Sequence, residues 1–155
     1  MNEDEKILAR RVALLDTIII NDNDILKFDD DDGDGISIQC FPVYHGGTYI
    51  SLGFNINNIF IYISDVKIIP IETMIYLKGL TSIEVLVIDA LDKHGMYSHC
   101  SLYEAIDIAK ELKPKVVYFT GMSCGIGDHD DVEKELIEMG LDNYHLAYDG
   151  LVISF

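Results

Sequence analysis

Apolar and polar positions alternate in the first half of the chain as they do in half-buried strands. Ile36 to Val43, Tyr49 to Ile56 and Phe60 to Ser64 are rich in β-branched and aromatic residues, and short turns separate them. Upstream, Glu5 to Leu15 has helical spacing and Thr17 to Ile20 is strand-like. The pattern therefore predicts several consecutive strands after an amino-terminal helix.

In the second half, predicted strands alternate with predicted helices. Val85 to Asp89 and Val116 to Phe119 are short apolar runs typical of buried strands. The predicted helices are Pro70 to Leu77, a helix between Ser101 and Pro114, and Asp131 to Met139 capped by Asp130. Ser101-x-x-Glu104 is a capping box, and Asp149-Gly150 between two apolar runs predicts a hairpin. Alternating strands and helices indicate an α/β fold.

An acidic segment, Asp22 to Gly35, interrupts this pattern and is predicted to be a solvent-exposed loop. We expect residues 1–155 to form a single domain that contains this loop. Asp30, Asp32 and Asp34 copy the first half of an EF-hand loop. The twelfth position of that loop is Phe41 instead of Glu, and both flanks are strand-like. A solvated loop is therefore favoured over a calcium site.

Composition and charge limit the classes of partner. With 155 residues, 49% of them apolar, and a mean hydropathy of +0.19, the chain can bury the core of one domain. Its formal net charge of −16 repels phosphate backbones, so we expect no long nucleic acid as partner. A small phosphorylated molecule is still compatible with this net charge, because a bound metal ion would reverse the electrostatic field around the site.

Other sequence features predict a cytoplasmic protein. The first residues are acidic, unlike a secretory signal, and no apolar run reaches the roughly 20 residues of a membrane-spanning helix. Cys40, Cys100 and Cys124 are odd in number and lack C-x-x-C spacing, which fits a reducing compartment. Cys100 and Cys124 could be reactive thiols, but buried structural cysteines are the more common case.

Candidate chemistry lies at the ends of predicted strands and in the loops that follow them. His45 and Asp65 each end a strand, His99 lies in the loop after Asp89, and the loop after Phe119 contains Cys124 and His129. A rigid scaffold with accessible loops is where α/β layers place their sites. Each of these residues is, taken alone, compatible with an ordinary surface role.

The sequence around these residues resembles a known family. The segments that carry the resemblance are Phe41 to Phe54 (FPVYHGGTYISLGF), Ile61 to Val66 (IYISDV), Leu86 to Leu91 (LVIDAL), Ser98 to Leu102 (SHCSL), Leu112 to Lys115 (LKPK) and Ala147 to Leu151 (AYDGL). In this order they resemble the phosphodiesterase-like branch of the metallo-β-lactamase superfamily, from about Leu8 to Phe155. The resemblance implies the C-terminal half of an αββα sandwich, with a mixed sheet and helices on one face.

The resemblance also implies roles for three residues. His45 matches a metal ligand, and Asp65 matches the aspartate that bridges two divalent ions, zinc or manganese. Such ions lower the pKa of a shared water and make hydroxide available. His99 matches the proton donor to the leaving group in the cyclic phosphodiesterase of the carbon–phosphorus lyase pathway, a task that suits an imidazole.

Two departures from the family pattern weaken this site. The first metal motif of the family, His-x-His-x-Asp-His, is absent, and no histidine precedes His45. In Thr120 to Cys124 the chain has Gly121 where many relatives have a histidine ligand. Cys124 or His129 is a candidate substitute. We therefore expect weak metal affinity and little hydrolysis from these 155 residues alone.

Three hypotheses follow. The first is a metal-dependent hydrolase that acts on a phosphodiester. The second is a non-catalytic, degenerate or truncated relative, a half-domain that binds a partner as a homo-oligomer or with a complementing chain, because an uncovered sheet exposes apolar surface. The third is an incomplete reading of a longer gene.

Overall fold

A computed structural model describes residues 17–28 and 35–154. These residues form seven strands, three α-helices and one 3₁₀ turn, Cys124–Ile126. In chain order the elements are β1 (Ile25–Phe28), β2 (Ile36–Tyr44), β3 (Ile50–Ile56), β4 (Phe60–Ile63), α1 (Ile71–Lys78), β5 (Val85–Asp89), α2 (Leu102–Leu112), β6 (Val116–Thr120), α3 (His129–Glu138) and β7 (Tyr144–Leu146).

The strands make one mixed sheet in the order β1-β2-β3-β4-β5-β6-β7. Strands β1 to β4 pair antiparallel, and β4 to β7 pair parallel, each parallel step crossing over through one helix. All five residues of β5 are buried, as its continuous apolar pattern predicts for a central strand. This arrangement confirms the predicted α/β class.

The three helices pack on one face of the sheet. Cross-strand neighbours Ile61, Leu86 and Val117 belong to one core cluster with buried helical residues, among them Ile106 of α2 and Leu136 of α3. The apolar stripe of α2 therefore lies against the sheet, as its helical spacing predicts. The helices on one face and the mixed sheet agree with the predicted architecture.

The opposite face of the sheet is also apolar. A cross-strand row on that face contains Phe54, Tyr62 and Tyr118, which are half-buried. Near the β1 edge, Phe28 and Ile36 pair with each other and are 52% and 48% exposed. We call this surface the outer face.

Local signals fix the start of helix α2. The Ser101 hydroxyl accepts a hydrogen bond from the Glu104 backbone N–H at 3.2 Å, and the Glu104 carboxylate accepts one from the Ser101 N–H at 2.8 Å. These two bonds satisfy N–H groups that would otherwise lack partners at a helix start. The predicted capping box is confirmed. It fixes the position at which the chain leaves the loop that contains His99.

The structure corrects three local predictions. Residues Ile25–Phe28, inside the predicted acidic loop 22–35, form edge strand β1, because their backbone pairs antiparallel with the free edge of β2 despite the acidic surroundings. Residues 17–20 form no strand. Asp149-Gly150 does form a turn, but residues 151–154 form no strand, so the predicted hairpin is wrong.

Helix α3 begins earlier than predicted. The Asp128 side chain, and not that of Asp130, accepts hydrogen bonds from the N–H groups of Asp130 and Asp131. Asp128 takes this role because its backbone is extended, as an N-cap requires. The predicted helix Glu5 to Leu15 and the aspartate run 29–34 lie outside the described residues. None of the described helices has the length and apolar character needed to cross a membrane.

Candidate metal and catalytic site

Strand direction brings the candidate residues to one rim of the sheet. Strand β2 runs parallel to β4, because each is antiparallel to β3 between them, and β5 and β6 continue in the same direction. His45 follows β2 directly, Asp65 follows β4 after one residue, and Asp89 is the last residue of β5. The carboxyl ends of all these strands therefore share one edge.

Backbone hydrogen bonds join the loops at this rim. The Cys100 N–H donates to the Val66 carbonyl at 2.8 Å, and the Cys100 carbonyl accepts from the Leu91 N–H at 3.0 Å. Tyr44 and Ile68 exchange two further bonds, of 2.9 and 3.1 Å. These contacts hold His99 and Asp65, the residues just before Cys100 and Val66, beside the end of β2.

His45, Asp65 and His99 form a compact cluster. One potential ligand atom from each lies within 4.8 Å of those of the other two. The two imidazole rings meet edge-on, with centroids 4.5 Å apart. Both histidines are half-buried and Asp65 is exposed. Within residues 17–28 and 35–154, this is the one group of three His, Cys, Asp or Glu side chains placed to hold a metal ion.

The backbone of Asp65 has an unusual conformation. Its φ angle is +51°, in the left-handed region that residues other than glycine seldom adopt. Aspartate tolerates this region better than most residues, and such conformations concentrate at functional sites. The observed φ therefore supports a functional interpretation of Asp65.

Asp89 is a fourth member of the site that the sequence interpretation missed. Its Oδ2 atom lies 2.7 Å from His99 Nδ1 and also accepts a hydrogen bond from the Val66 N–H at 3.3 Å. The side chain is 2% exposed. The signal in the sequence was a charged residue at the end of a fully apolar strand, because a buried carboxylate needs a partner.

Burial dominates the electrostatics of Asp89. It raises the pKa of this carboxyl above its ordinary value, and the hydrogen bond with His99 offsets part of that effect. The pairing occupies His99 Nδ1, so Nε2 is the ring nitrogen left for a ligand or a substrate. Carboxylate–histidine pairs of this kind orient the ring and select which nitrogen is protonated.

The donor set fits a divalent metal ion. Imidazole nitrogen and carboxylate oxygen are ligands of zinc and manganese. His45 Nδ1 is buried and has no hydrogen-bond partner among the described residues. Buried polar atoms without partners are rare, and coordination of an ion is one way to satisfy such a nitrogen. The residues present are therefore compatible with an ion held between His45, Asp65 and His99.

Gly121 lies next to this cluster and contributes no ligand. It has a φ of +72°, and a Cβ placed on it would be 2.7 Å from Asp89 Oδ1. The candidate substitutes Cys124 and His129 are outside the group of three: Cys124 begins the 3₁₀ turn and His129 begins α3. Both are exposed. That Cys124 or His129 replaces the missing histidine ligand stays a prediction.

The cysteines differ in accessibility. Cys40 and Cys100 are buried, Cys124 is exposed, and all three are free thiols. Burial, with the nearby Glu104 and Asp89 charges, raises the pKa of Cys100 to about 12. Since the thiolate is the nucleophilic form, Cys100 is poorly suited to covalent catalysis.

An open cavity of about 370 Å³ adjoins the cluster. His45, Tyr49, Ser51 and Asp65 line it. Its size admits a small ester, and its walls combine an imidazole, two hydroxyls and a carboxylate. The cavity thus joins a candidate ion site to space for a small ligand.

Several solved structures share the fold of this chain. A diphosphatase of the PhnP family is 31% identical, with a TM-score of 0.68 over 77% of this chain and 44% of that one. YhfI of Bacillus subtilis, a metallo-β-lactamase fold protein, is 18% identical, with a TM-score of 0.63 over 88% and 55%. The chain belongs to the metallo-β-lactamase superfamily. Igni18, a metallo hydrolase of Ignicoccus hospitalis, is 18% identical, with a TM-score of 0.61 over 89% and 60%.

The metallo-β-lactamase fold is thus present in part. The chain spans about half the length of the solved structures it matches. No protein-family model and no curated protein sequence matches it. The similarity confirms the superfamily inferred from the sequence and agrees with a phosphodiesterase-like branch.

Proposed function

We propose that this chain carries part of the active site of a metal-dependent hydrolase that cleaves a small phosphodiester or diphosphate. The observation that carries the proposal is the convergence of His45, Asp65 and His99 to within 4.8 Å at one rim of the sheet. The similarity to a PhnP-family diphosphatase supports phosphorus as the reacting centre. A reducing, cytoplasmic location would fit the free cysteines but stays a prediction.

In this proposal His45 and Asp65 would hold the divalent ion, zinc or manganese. When bound, the ion would supply a Lewis acid and lower the pKa of a water molecule near the substrate. His99 gives a proton from Nε2 to the leaving oxygen. Asp89 keeps that nitrogen directed towards the cluster by binding Nδ1 at 2.7 Å. Asp89 is therefore a positioning residue.

The small number of donors limits the ion affinity of the chain. Catalytic zinc sites usually have three protein ligands, and a dinuclear centre needs more. With His99 as the proton donor, the described residues of the cluster leave His45 and Asp65 as ligands. We therefore expect ions to bind weakly and to dissociate on dialysis, and hydrolysis by this chain to be slow. Retention of two ions per chain after dialysis would show that this expectation is wrong.

Hydrolysis of bis(p-nitrophenyl) phosphate with added Zn²⁺ or Mn²⁺ tests the proposal. We expect slow turnover that requires the ion and is lost in His45→Ala and Asp65→Asn. His94→Ala is the matched control, because His94 is an exposed histidine in the same loop as His99 but outside the cluster. Turnover that is the same in all three variants, or absent with both ions, would refute the proposal.

The alternative function is a partner-binding half-domain without catalysis. Its support is the outer face, where Phe54, Tyr62 and Tyr118 form an apolar row opposite the described helices. The occupant would be a second β-sheet, from a complementing chain or from another copy of this one. Exposed apolar patches of this kind commonly mark association surfaces.

Light scattering distinguishes this alternative. A partner-binding half-domain should self-associate or bind a hydrophobic dye, and Tyr62→Lys together with Tyr118→Lys should reduce both effects. A stable monomer that binds no dye would contradict it. Because these residues are on the outer face, the same variant should retain any ion-dependent hydrolysis.

A further inference from the structure

A second cavity lies beside helix α3 and strand β7, and its described lining residues are all different from those of the cavity beside His45. It has a volume of about 330 Å³. Its lining includes four rings and one carboxylate, which belong to Tyr118, His129, His145, Tyr148 and Glu133. The cavity therefore combines flat aromatic faces with a negative charge.

The four rings meet in two pairs. Tyr118 of β6 and His145 of β7 are cross-strand neighbours, and their ring centroids are 5.7 Å apart. His129 of α3 meets Tyr148 edge-on, with centroids 6.4 Å apart. The first pair belongs to the sheet, and the second joins the helix to the turn after β7. Rings from three parts of the fold therefore border one space.

The backbone of β7 holds the carboxylate of Glu133 in place. Its Oε1 atom accepts a hydrogen bond from the Leu146 N–H at 2.5 Å, and its Oε2 atom lies 3.4 Å from His145 Nδ1. Lys134, the next residue in the helix, binds Asp131 at 3.2 Å. A hydrogen bond from a peptide N–H does not neutralise a carboxylate. The cavity therefore contains a half-buried and fixed negative charge.

We propose that this cavity binds a small organic cation of the quaternary ammonium class, such as choline. The face of a tyrosine ring attracts a cation electrostatically, and cages of aromatic rings are the usual sites for quaternary ammonium groups. The carboxylate of Glu133 adds a direct charge attraction, and the net charge of −16 adds a long-range one. A volume of about 330 Å³ is enough for one small molecule.

Choline and 3,3-dimethyl-1-butanol test the proposal as matched probes. The two molecules have the same shape, and only choline is charged. The titrations use NMR, with EDTA present and sodium chloride as the background salt, at pH 8, where ordinary histidine side chains are mostly uncharged. We expect choline to shift ring signals of tyrosine and histidine and to bind about 10-fold tighter than the alcohol. Equal binding of the two probes, or binding of neither, would overturn the proposal.

A methylated lysine side chain carries the same ammonium chemistry as free choline. A short peptide that contains trimethyllysine distinguishes the two sources, and we expect it to bind no tighter than choline does. Tighter binding of the peptide would overturn the assignment to a small molecule.

Two variants separate the contributions of the charge and of the rings. Glu133→Gln removes the charge but keeps an oxygen that can accept the Leu146 N–H. Tyr118→Leu with Tyr148→Leu keeps apolar side chains but removes two ring faces. Each variant should weaken choline binding about 5-fold. Unchanged choline affinity in both variants would assign the cation to another surface and overturn the proposal.

Matched controls come from residues outside the cavity. Glu138→Gln changes the net charge by the same amount at an exposed position of α3, and Tyr97→Leu removes a tyrosine that is 80% exposed in the loop after β5. Both should bind choline as the wild type does, and a loss as large as in the cavity variants would overturn the proposal. Because the protein is free of metal and choline is not hydrolysed, these outcomes do not depend on the proposed hydrolase function.

Discussion

Asp89 at the end of β5 lies 2.7 Å, Oδ2 to Nδ1, from His99 in the following loop. The same oxygen accepts the N–H of Val66, the residue after Asp65. One buried carboxylate therefore contacts both segments that carry the candidate site. Asp89 thus adds side-chain contacts to the backbone hydrogen bonds that already join these loops.

Asp89→Asn should lower ion-dependent hydrolysis by about 10- to 100-fold, the usual effect of losing a carboxylate behind a functional histidine. The amide has nearly the same shape but cannot stabilise a charged imidazole. Rates with bis(p-nitrophenyl) phosphate check this. Asp107→Asn, an exposed change on α2, is the control. Equal rates for Asp89→Asn and the wild type would show that the contact has no role in catalysis.

Gly121→Ala should destabilise the protein more than Gly140→Ala does. The two glycines have φ angles of +72° and +73°, so alanine meets the same backbone strain of about 1–2 kcal/mol at each. At Gly121 the new Cβ would also lie 2.7 Å from Asp89 Oδ1, whereas nothing lies within 4 Å at Gly140. The added overpacking should cost about 1–3 kcal/mol.

Urea unfolding of the two variants measures this difference, and the hydrolysis rate reports on Asp89. We expect only Gly121→Ala to lose activity, since it displaces Asp89 from His99. The same contact explains why a histidine at this position would not simply restore a ligand. Equal unfolding free energies for both variants would show that the space next to Asp89 can adjust.

Much of the fold was predictable because its signals are local. The capping box of Ser101 and Glu104 forms as the sequence predicts, and the apolar run Val85–Asp89 becomes a central strand. His45 and Asp65 could be singled out because each follows a strand. Strand direction then brings them to one rim without any further information.

Other features depend on tertiary contacts that no local pattern contains. Strand β1 was hidden by its acidic neighbours and forms because β2 offers an edge. Asp128 and Asp130 are equally good cap residues by type, and only backbone conformation separates them. Asp89 was missed because its partner, His99, is ten residues away across an irregular loop.

Glu104→Gln should reduce stability at neutral pH by no more than about 1 kcal/mol, because Gln keeps the capping box but loses the ion pair with Lys67. Burial opposes ionisation of Glu104, but hydrogen bonds from Lys67 and from the Ser101 N–H outweigh it and hold the pKa of this carboxyl below its ordinary value.

The sign of the pH dependence follows from that lowered pKa. The stabilisation is present above the ordinary glutamate pKa of about 4.3 and is lost as the pH falls through the lower folded-state pKa. The difference in unfolding free energy between wild type and Glu104→Gln should therefore shrink from pH 7 to pH 3. A difference that grows towards low pH would contradict the assignment.

Only Cys124 should react quickly with a thiol reagent in the folded protein. Cys40 and Cys100 are fully buried, and the pKa of Cys100 is raised to about 12, so neither offers an accessible thiolate. Titration with 5,5′-dithiobis(2-nitrobenzoic acid) should give one fast thiol in buffer and three in denaturant. Three fast thiols in buffer would mean that the core opens readily.

The most direct test of the account is a crystal structure of the chain soaked with Zn²⁺, with the ion located by anomalous scattering. We predict a peak about 2.0–2.2 Å from a nitrogen of His45 and an oxygen of Asp65. The peak should disappear in Asp65→Asn. An anomalous map without a peak at this cluster, or with the ion bound elsewhere, would contradict the central claim.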